Sequence, residues 1–301
     1  MELIKFIIKK RELFRIEIIK NTIRFLKQDK LRMIGISIFL FFLVIAIFAA
    51  YIAPYNPMEM NFDGDGNLKR LQPPSKDHLL GTTYMGRDVF SQMIIGSRIA
   101  LLVGILSAFC VVFIGTNIGL ISGYYGGKID NIIMRIVDII YGIPFLPFAL
   151  ILVAILGPGV KNIIIAIVLI TWRNTARVIR SQVLTLKTRT FIEAAKVSGA
   201  GDLRIIYKYI APNVMPLSMV YISLTMGSAI MTEVSLSFLG YGDPLLPSWG
   251  KILYSCYSSQ AMFKAWWWMV PPGIAIILLV LSGFLMGRGL EEIANPKLRI
   301  R

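Results

Sequence analysis

The sequence predicts an all-α membrane protein: about six transmembrane helices, an N-terminal amphipathic arm and a small extracytoplasmic segment after the first helix. Three observations carry this reading. The 301-residue chain is 56% hydrophobic and 16% charged, with a mean hydropathy of +0.68, outside the range of ordinary soluble domains. Its apolar residues gather in runs near the ~20 residues that a bilayer core demands of a helix. Its basic residues fall unevenly about those runs, as the orientation rule for membrane proteins requires.

The arm, residues 1–32, interleaves Leu3, Ile4, Phe6, Leu13, Phe14 and Ile16 with lysines and arginines. That pattern suits a helix lying on anionic lipid; a solvated basic tail is the alternative. The first span, 33–53, follows. Its apolar core starts only after the charged arm, and no small-residue cleavage pattern comes after it, so it reads as an uncleaved anchor. Residues 54–97 are the extracytoplasmic segment. Pro54, Pro57, Pro73 and Pro74 break helix there, and Asp63-Gly64-Asp65-Gly66-Asn67 reads as a hairpin turn. A calcium loop would need a terminal bidentate Glu, which is missing. Met85-Gly86-Arg87-Asp88 is expected as a short helix entering the second span.

The core, residues 98–288, holds the remaining candidates: Ile99–Ile121, Ile132–Leu156, Asn162–Trp172, Val214–Leu239 and Trp266–Met286. Pro144 and Pro147 predict a kink in the third span. The fourth is the weakest, extended through Val178 with Arg173, Arg177 and Arg180 snorkelling toward water. Arg135 and Asp138 share a helix face and predict a local ion pair, with a pathway contact as the alternative. Glu233 lies inside the fifth span, as a helix-pairing or pathway candidate. Trp266-Trp267-Trp268 reads as an interfacial aromatic anchor. Residues 289–301 are a basic tail. With six spans the arm, the 173–208 bases and the tail share one side, read as cytoplasmic.

The net charge of +15 is therefore a topology signal. Nucleic-acid binding would need a basic face with stacking aromatics on a soluble fold, which the sequence does not offer. His78 is the only histidine, so a histidine-based metal cluster is excluded. There is no G-x-x-x-x-G-K-[ST] run, so the chain does not hydrolyse ATP itself. Gly240-Tyr241-Gly242-Asp243 matches the GxGD pattern of intramembrane aspartyl proteases. Those need two facing membrane aspartates; Asp243 is expected beyond the fifth span and Asp138 near the opposite surface. No cofactor is expected in this chain.

The most informative stretch is the loop 187–213. Thr190 to Lys196 favours helix, and Gly199-Ala200-Gly201 breaks it. Asp202 is expected to cap a second short helix, and Pro212 to open the next span. Ala194 and Ala195 would present a small, close-packing face. A compact helix-turn-helix of this kind between spans points to a soluble partner docking there.

Glu193-Ala194-Ala195, then Gly199, then Pro212, resembles the cytoplasmic EAA loop of ABC importer permeases. From about Arg24 to Arg299 the chain is similar to the second permease subunit of the dipeptide, oligopeptide and nickel branch of that family. The resemblance runs through Ala53-Pro54-Tyr55-Asn56-Pro57, His78-Leu79-Leu80-Gly81-Thr82, Gly86-Arg87-Asp88-Val89 and Gly96-Ser97-Arg98. It continues through Gly123-Tyr124-Tyr125-Gly126-Gly127, Arg135-Ile136-Val137-Asp138, Leu236-Ser237-Phe238-Leu239-Gly240 and Pro247-Ser248-Trp249-Gly250. Tyr209 and Ala211 depart from it, where Ile and Leu are preferred.

The resemblance implies a type I importer permease fold in the inner or plasma membrane. It implies as partners a second permease subunit, one or two ABC ATPase subunits that bind ATP and Mg, an extracytoplasmic substrate-binding protein and membrane lipid. It implies a non-catalytic role importing dipeptides or oligopeptides. Nickel is the substrate alternative, although the chain lacks soft-ligand clusters for it. A stand-alone channel or secondary carrier is the alternative of another class; it would call for internal repeats and discontinuous half-helices. Glu193, Ala194, Ala195, Gly199, Asp202 and Pro212 are the expected ATPase-coupling residues.

A bulky residue at Gly199 is expected to uncouple ATP hydrolysis from transport while the protein still inserts. Parallel uptake and ATPase assays check this; normal uptake would refute it.

Overall fold

The computed structural model describes residues 29–294. Residues 1–28 of the expected N-terminal arm and 295–301 of the basic tail lie outside the described residues; the last residues of the arm, from Lys30, belong to the first helix. The architecture is all helix, with two isolated β-bridges among the described residues. Among the described residues five helices are long and apolar enough to cross a membrane: α1 (Lys30–Ile47), α3 (Val89–Tyr125), α6 (Val160–Leu186), α8 (Asp202–Tyr241) and α10 (Trp266–Ala294). A bent pair, α4 (Gly127–Tyr141) and α5 (Phe145–Leu156), is together long and apolar enough for a sixth, broken span. Three short helices complete the chain: α2 (Ala49–Ile52) after α1, α7 (Thr190–Val197) between α6 and α8, and α9 (Trp249–Ser258) between α8 and α10.

The most extensive helix contact joins α3 to α6. A β-carbon on Gly115 would lie 2.6 Å from the Thr175 β-carbon and 2.7 Å from the Trp172 carbonyl oxygen. On Gly119 it would lie 2.7 Å from the Ala176 carbonyl, and on Gly123 2.7 Å from the Val183 β-carbon. One glycine per turn along α3 thus removes every side chain that would hold the two backbones apart. Lipid tails are as apolar as a core, so membrane helices associate through such close packing rather than through hydrophobic burial. Gly104 does the same for α3 against Ile230 of α8, and Gly35 for α1 against Leu285 of α10.

The third span is broken rather than kinked. Its two halves meet at 88°. Pro144 has no N–H to continue the ladder and disfavours helix in the residue before it. Gly142 therefore ends α4, and Pro144 starts α5 from an extended conformation. The sequence showed no discontinuous helix, so this is a correction as well. Among the described residues the broken pair has no second copy, whereas an inverted-repeat carrier would carry one in each half.

In α8 the fifth span and the loop before it form one continuous helix. Pro212 would clash with a carbonyl one α-turn back. A π-helical stretch, Ile205–Ile210, widens the turn, and the Ala211 N–H bonds the Ile206 carbonyl five residues back. The expected second short helix ending before Pro212 is thus the first turns of the span itself.

Segment 54–88 folds over the end of α3. The expected turn at Asp63 to Asn67 is present: Phe62 bridges Leu68, and the Asp63 carboxylate accepts from the Asp65 and Asn67 N–H groups. The expected short helix at Met85 to Asp88 is a turn. Gly86 takes φ +67°, Thr82 bridges Asp88, and Asp88 caps α3 through the Ser91 N–H at 2.7 Å. His78, 1% exposed, sits 2.9 Å from Asp88 through Nδ1, with the Tyr55 ring 4.8 Å away. The tryptophan run divides: Trp266 is exposed, while Trp267 and Trp268 pack into the protein against this segment and α9. Only Trp266 fits the belt expected of all three.

Gly119→Leu would force α3 and α6 apart and is expected to lower stability by about 2 kcal/mol. Thermal unfolding of the detergent-solubilised chain, alongside a Leu substitution at the open Gly273, checks this.

Candidate functional site

Two sites emerge, one at each level of the bundle. The first is the turn between α6 and α8. Within α7, Ile192 and Ala195 are buried, and Ile192 joins Leu120, Val183, Ile206 and Ile210 in one cluster. Glu193 and Ala194 face outward, with Phe191, Val197 and Leu203 exposed beside them and Val197 at 90%. Ala195 therefore packs against its own chain; of the two alanines expected to meet a partner, Ala194 alone is on the open face.

Gly199 ends α7 at φ +76°. The Ala200 N–H returns to the Ala195 carbonyl at 3.0 Å and the Gly199 N–H to Lys196 at 2.9 Å. This is a left-handed helix terminus, the conformation that a β-carbon strains. Asp202 does not cap α8: Gly201 holds that position. The Asp202 carboxylate instead accepts from the Tyr124 hydroxyl at the end of α3, at 2.7 Å. The Tyr207 hydroxyl donates to Asn117 at 3.1 Å, and Lys187 Nζ to the Gly123 carbonyl at 3.0 Å. Pro212 lies one π-turn farther along α8. The chain on either side of α7 is thus tied to α3 at three points.

Charge on α6 finds partners on α4, with Arg177 exposed and Arg180 half-buried. Arg180 forks onto Asp130 of α4, with Nε and Nη2 each 2.5 Å from a carboxylate oxygen, and Ser122 of α3 also donates to Asp130. Arg177 pairs with Asp138. The expected Arg135–Asp138 pair is therefore not formed: Asp138 faces across to α6, where Arg177 also covers the Tyr141 ring at 4.1 Å.

The second site is a cavity of about 240 Å³ between α5, α6 and α8, lined by Phe145, Ile167, Thr171, Arg173, Asn174, Ser228, Ala229 and Thr232. Arg173 donates from Nη1 to the Ile140 carbonyl at 2.9 Å, where α4 breaks and the Ile143 N–H reaches the same carbonyl at 3.2 Å. Glu233 is not part of this cavity. It is 1% exposed and accepts from Ser237 at 2.6 Å, on the side of α8 that meets α9. A helix-pairing role fits that placement. Asp243 lies beyond α8 and caps a turn through the Leu245 N–H at 2.9 Å. Among the described residues no three His, Cys, Asp or Glu side chains gather to hold a metal. The sequence reading missed the cavity and the glycine ridge; the spacing Gly115, Gly119, Gly123 was the available signal for the ridge.

Residues 115–300 match the family described as binding-protein-dependent transport system inner membrane component. Residues 19–74 match the N-terminal transmembrane domain of oligopeptide transport permease C. The dipeptide transport system permease protein DppC of Bacillus subtilis is 38% identical, over 92% of this chain and 85% of its own length. The oligopeptide permease OppC of the same organism is 36% identical, over 93% and 90%. The glutathione permease GsiD of Pectobacterium atrosepticum is 38% identical, over 92% and 90%. An inward-facing structure of the MetNI methionine ABC transporter shares the fold, with a TM-score of 0.52 and 20% identity, over 68% of this chain and 95% of that one.

Asp130→Asn would leave the Arg180 guanidinium without its charge partner and is expected to cost about 3 kcal/mol. Thermal unfolding measures it, and the reciprocal exchange Asp130→Arg with Arg180→Asp should restore part of the loss.

Proposed function

The chain belongs to the family of binding-protein-dependent transport system inner membrane components, and from that premise we propose that it is the second permease subunit of an ATP-driven importer of short peptides. It forms half of a translocation pathway with another permease subunit. It carries out no chemistry; one or two ABC ATPase subunits bind ATP and Mg. An extracytoplasmic binding protein delivers the substrate. The matched permeases serve dipeptides, oligopeptides and glutathione, which supports a peptide over nickel.

The observation that carries the coupling role is the turn at α7. Phe191, Ala194, Val197 and Leu203 form an exposed, largely apolar knob at the end of a charged face, and apolar patches of this kind mark docking surfaces. The knob is rigid because Ile192 and Ala195 are buried and Tyr124 holds Asp202. Glu193, Ala194 and Gly199 meet the ATPase, while Ala195, Asp202 and Pro212 fix the knob to the span. ATP-driven closure pulls this knob, and the stapled α3 and α8 tilt with it. The basic residues of 173–208 stand on the same side as α7, and this charge asymmetry supports a cytoplasmic position for that side and for both termini.

A mild-detergent pull-down of the tagged chain, read by mass spectrometry, tests the proposal. Recovery with a second permease and Walker-motif ATPases is expected, and Val197→Asp should lose the ATPases while keeping the second permease. Recovery of the wild-type chain alone would refute the coupling role.

A further inference from the structure

The three arginines of α6 are not equivalent. Arg177 and Arg180 each have a carboxylate partner on α4. Arg173, one turn deeper into the span, forms no ion pair among the described residues. Its supports are neutral: the Ile140 carbonyl at 2.9 Å and the Tyr141 ring, whose centre lies 4.8 Å from the guanidinium carbon. They hold the group in place without cancelling its charge. Its Nε is buried with no acceptor. A charge held at this depth faces a protein interior or a wet cavity, and such residues mark substrate paths.

The cavity beside it is built for one end of a peptide. On the α6 side it offers donors: the guanidinium, and Asn174, whose Oδ1 is taken by the Tyr141 hydroxyl at 2.7 Å and whose amide N–H groups remain. On the α8 side it offers acceptors. Ser228 and Thr232 spend their hydroxyl protons on carbonyls of their own helix, each at 2.9 Å, and keep their oxygen lone pairs. Phe145 and Ile167 close the apolar walls. A volume of about 240 Å³ falls below that of pockets that swallow whole ligands, ~300–1,000 Å³, so it takes an end group. A polar surface of this extent would be costly against lipid, which places it on the pathway side of the bundle.

We infer that Arg173 and this cavity form a subsite in the pathway for the free C-terminal carboxylate of a translocated peptide, with Ser228 and Thr232 receiving peptide N–H groups. The inference rests on the peptide-importer reading. It makes the permease itself a reader of the one anionic group that peptides of any sequence share.

The test uses the whole importer, reconstituted in proteoliposomes with its partner subunits and binding protein. Uptake of trialanine and of trialanine amide is compared, each at a concentration that saturates the binding protein. The wild type should favour the free carboxylate by about ten-fold, the worth of one charge-assisted hydrogen bond. Arg173→Gln should bring that ratio near one, and Arg173→Lys should keep most of it. An unchanged ratio in Arg173→Gln would overturn the inference and leave peptide import standing. Equal loss of both substrates in Gln and Lys variants that still assemble would overturn it too, as the outcome if Arg173 only braces the α4 break or pairs with a carboxylate of the second permease. Failure of the wild type to take up either peptide would instead overturn the peptide reading.

Discussion

Everything in this bundle depends on how near α3 and α6 approach each other. In a bilayer the hydrophobic effect does not press helices together, so contact distance decides the packing energy. Gly115, Gly119 and Gly123 let the backbones meet where any side chain would collide with main-chain atoms. That approach brings Ser122 and Asp130 within reach of Arg180 and sets Tyr124 over Asp202. The ion pair and the stapled turn are consequences of the crossing. A wider separation would leave the Arg180 charge unpaired and the turn at α7 without its anchor.

Proline and arginine divide the work along the third and fourth spans. Pro144 breaks the third span and lacks the N–H that the Ile140 carbonyl would take in a continued helix. Arg173 donates to that carbonyl, which the Ile143 N–H also reaches at 3.2 Å. The same device recurs at the first span, where Arg98 donates to the carbonyls of Ala46 at 2.7 Å and Ile47 at 3.1 Å beside the break before α2. A guanidinium can serve a freed carbonyl and still carry its charge to a second surface, because its five donors spread over a plane. At Arg98 that second surface is solvent; at Arg173 it is the cavity.

The opposite face of the molecule is organised by small residues beneath large ones. Gly96 leaves room for the indole of Trp249, whose Nε1 donates to the Met93 carbonyl at 3.0 Å. Gly81, at φ +64°, clears space for Trp267. Gly250 lets α9 lie on the Val234 backbone of α8. Segment 54–88, α9 and the start of α10 thus form one cap over the ends of α3 and α8. The motifs that carried the family resemblance in this region, from His78 to Arg98 and around Trp249, are the packing code of that cap.

The sequence by itself determined the spans, the charge asymmetry about them and the position of the turn between α6 and α8. Apolar run length, charge asymmetry and the Glu193-to-Gly199 spacing are local properties that a bilayer or a single helix terminus reads directly. It also supplied the turn at Asp63 and the termination at Gly199, where backbone conformation follows from residue type. Tertiary structure decided which groups meet. Arg135 and Asp138 share a helix face, yet Asp138 turns to Arg177, because a neighbouring helix at close range offers a better donor than its own. Ala195 turned inward and Asp202 bonded Tyr124 for the same reason. The break at Pro144 and the isolated charge of Arg173 were equally hidden in the sequence. A proline does not announce its angle, and a charge has no partner or lacks one until the fold brings its neighbours within a few ångströms.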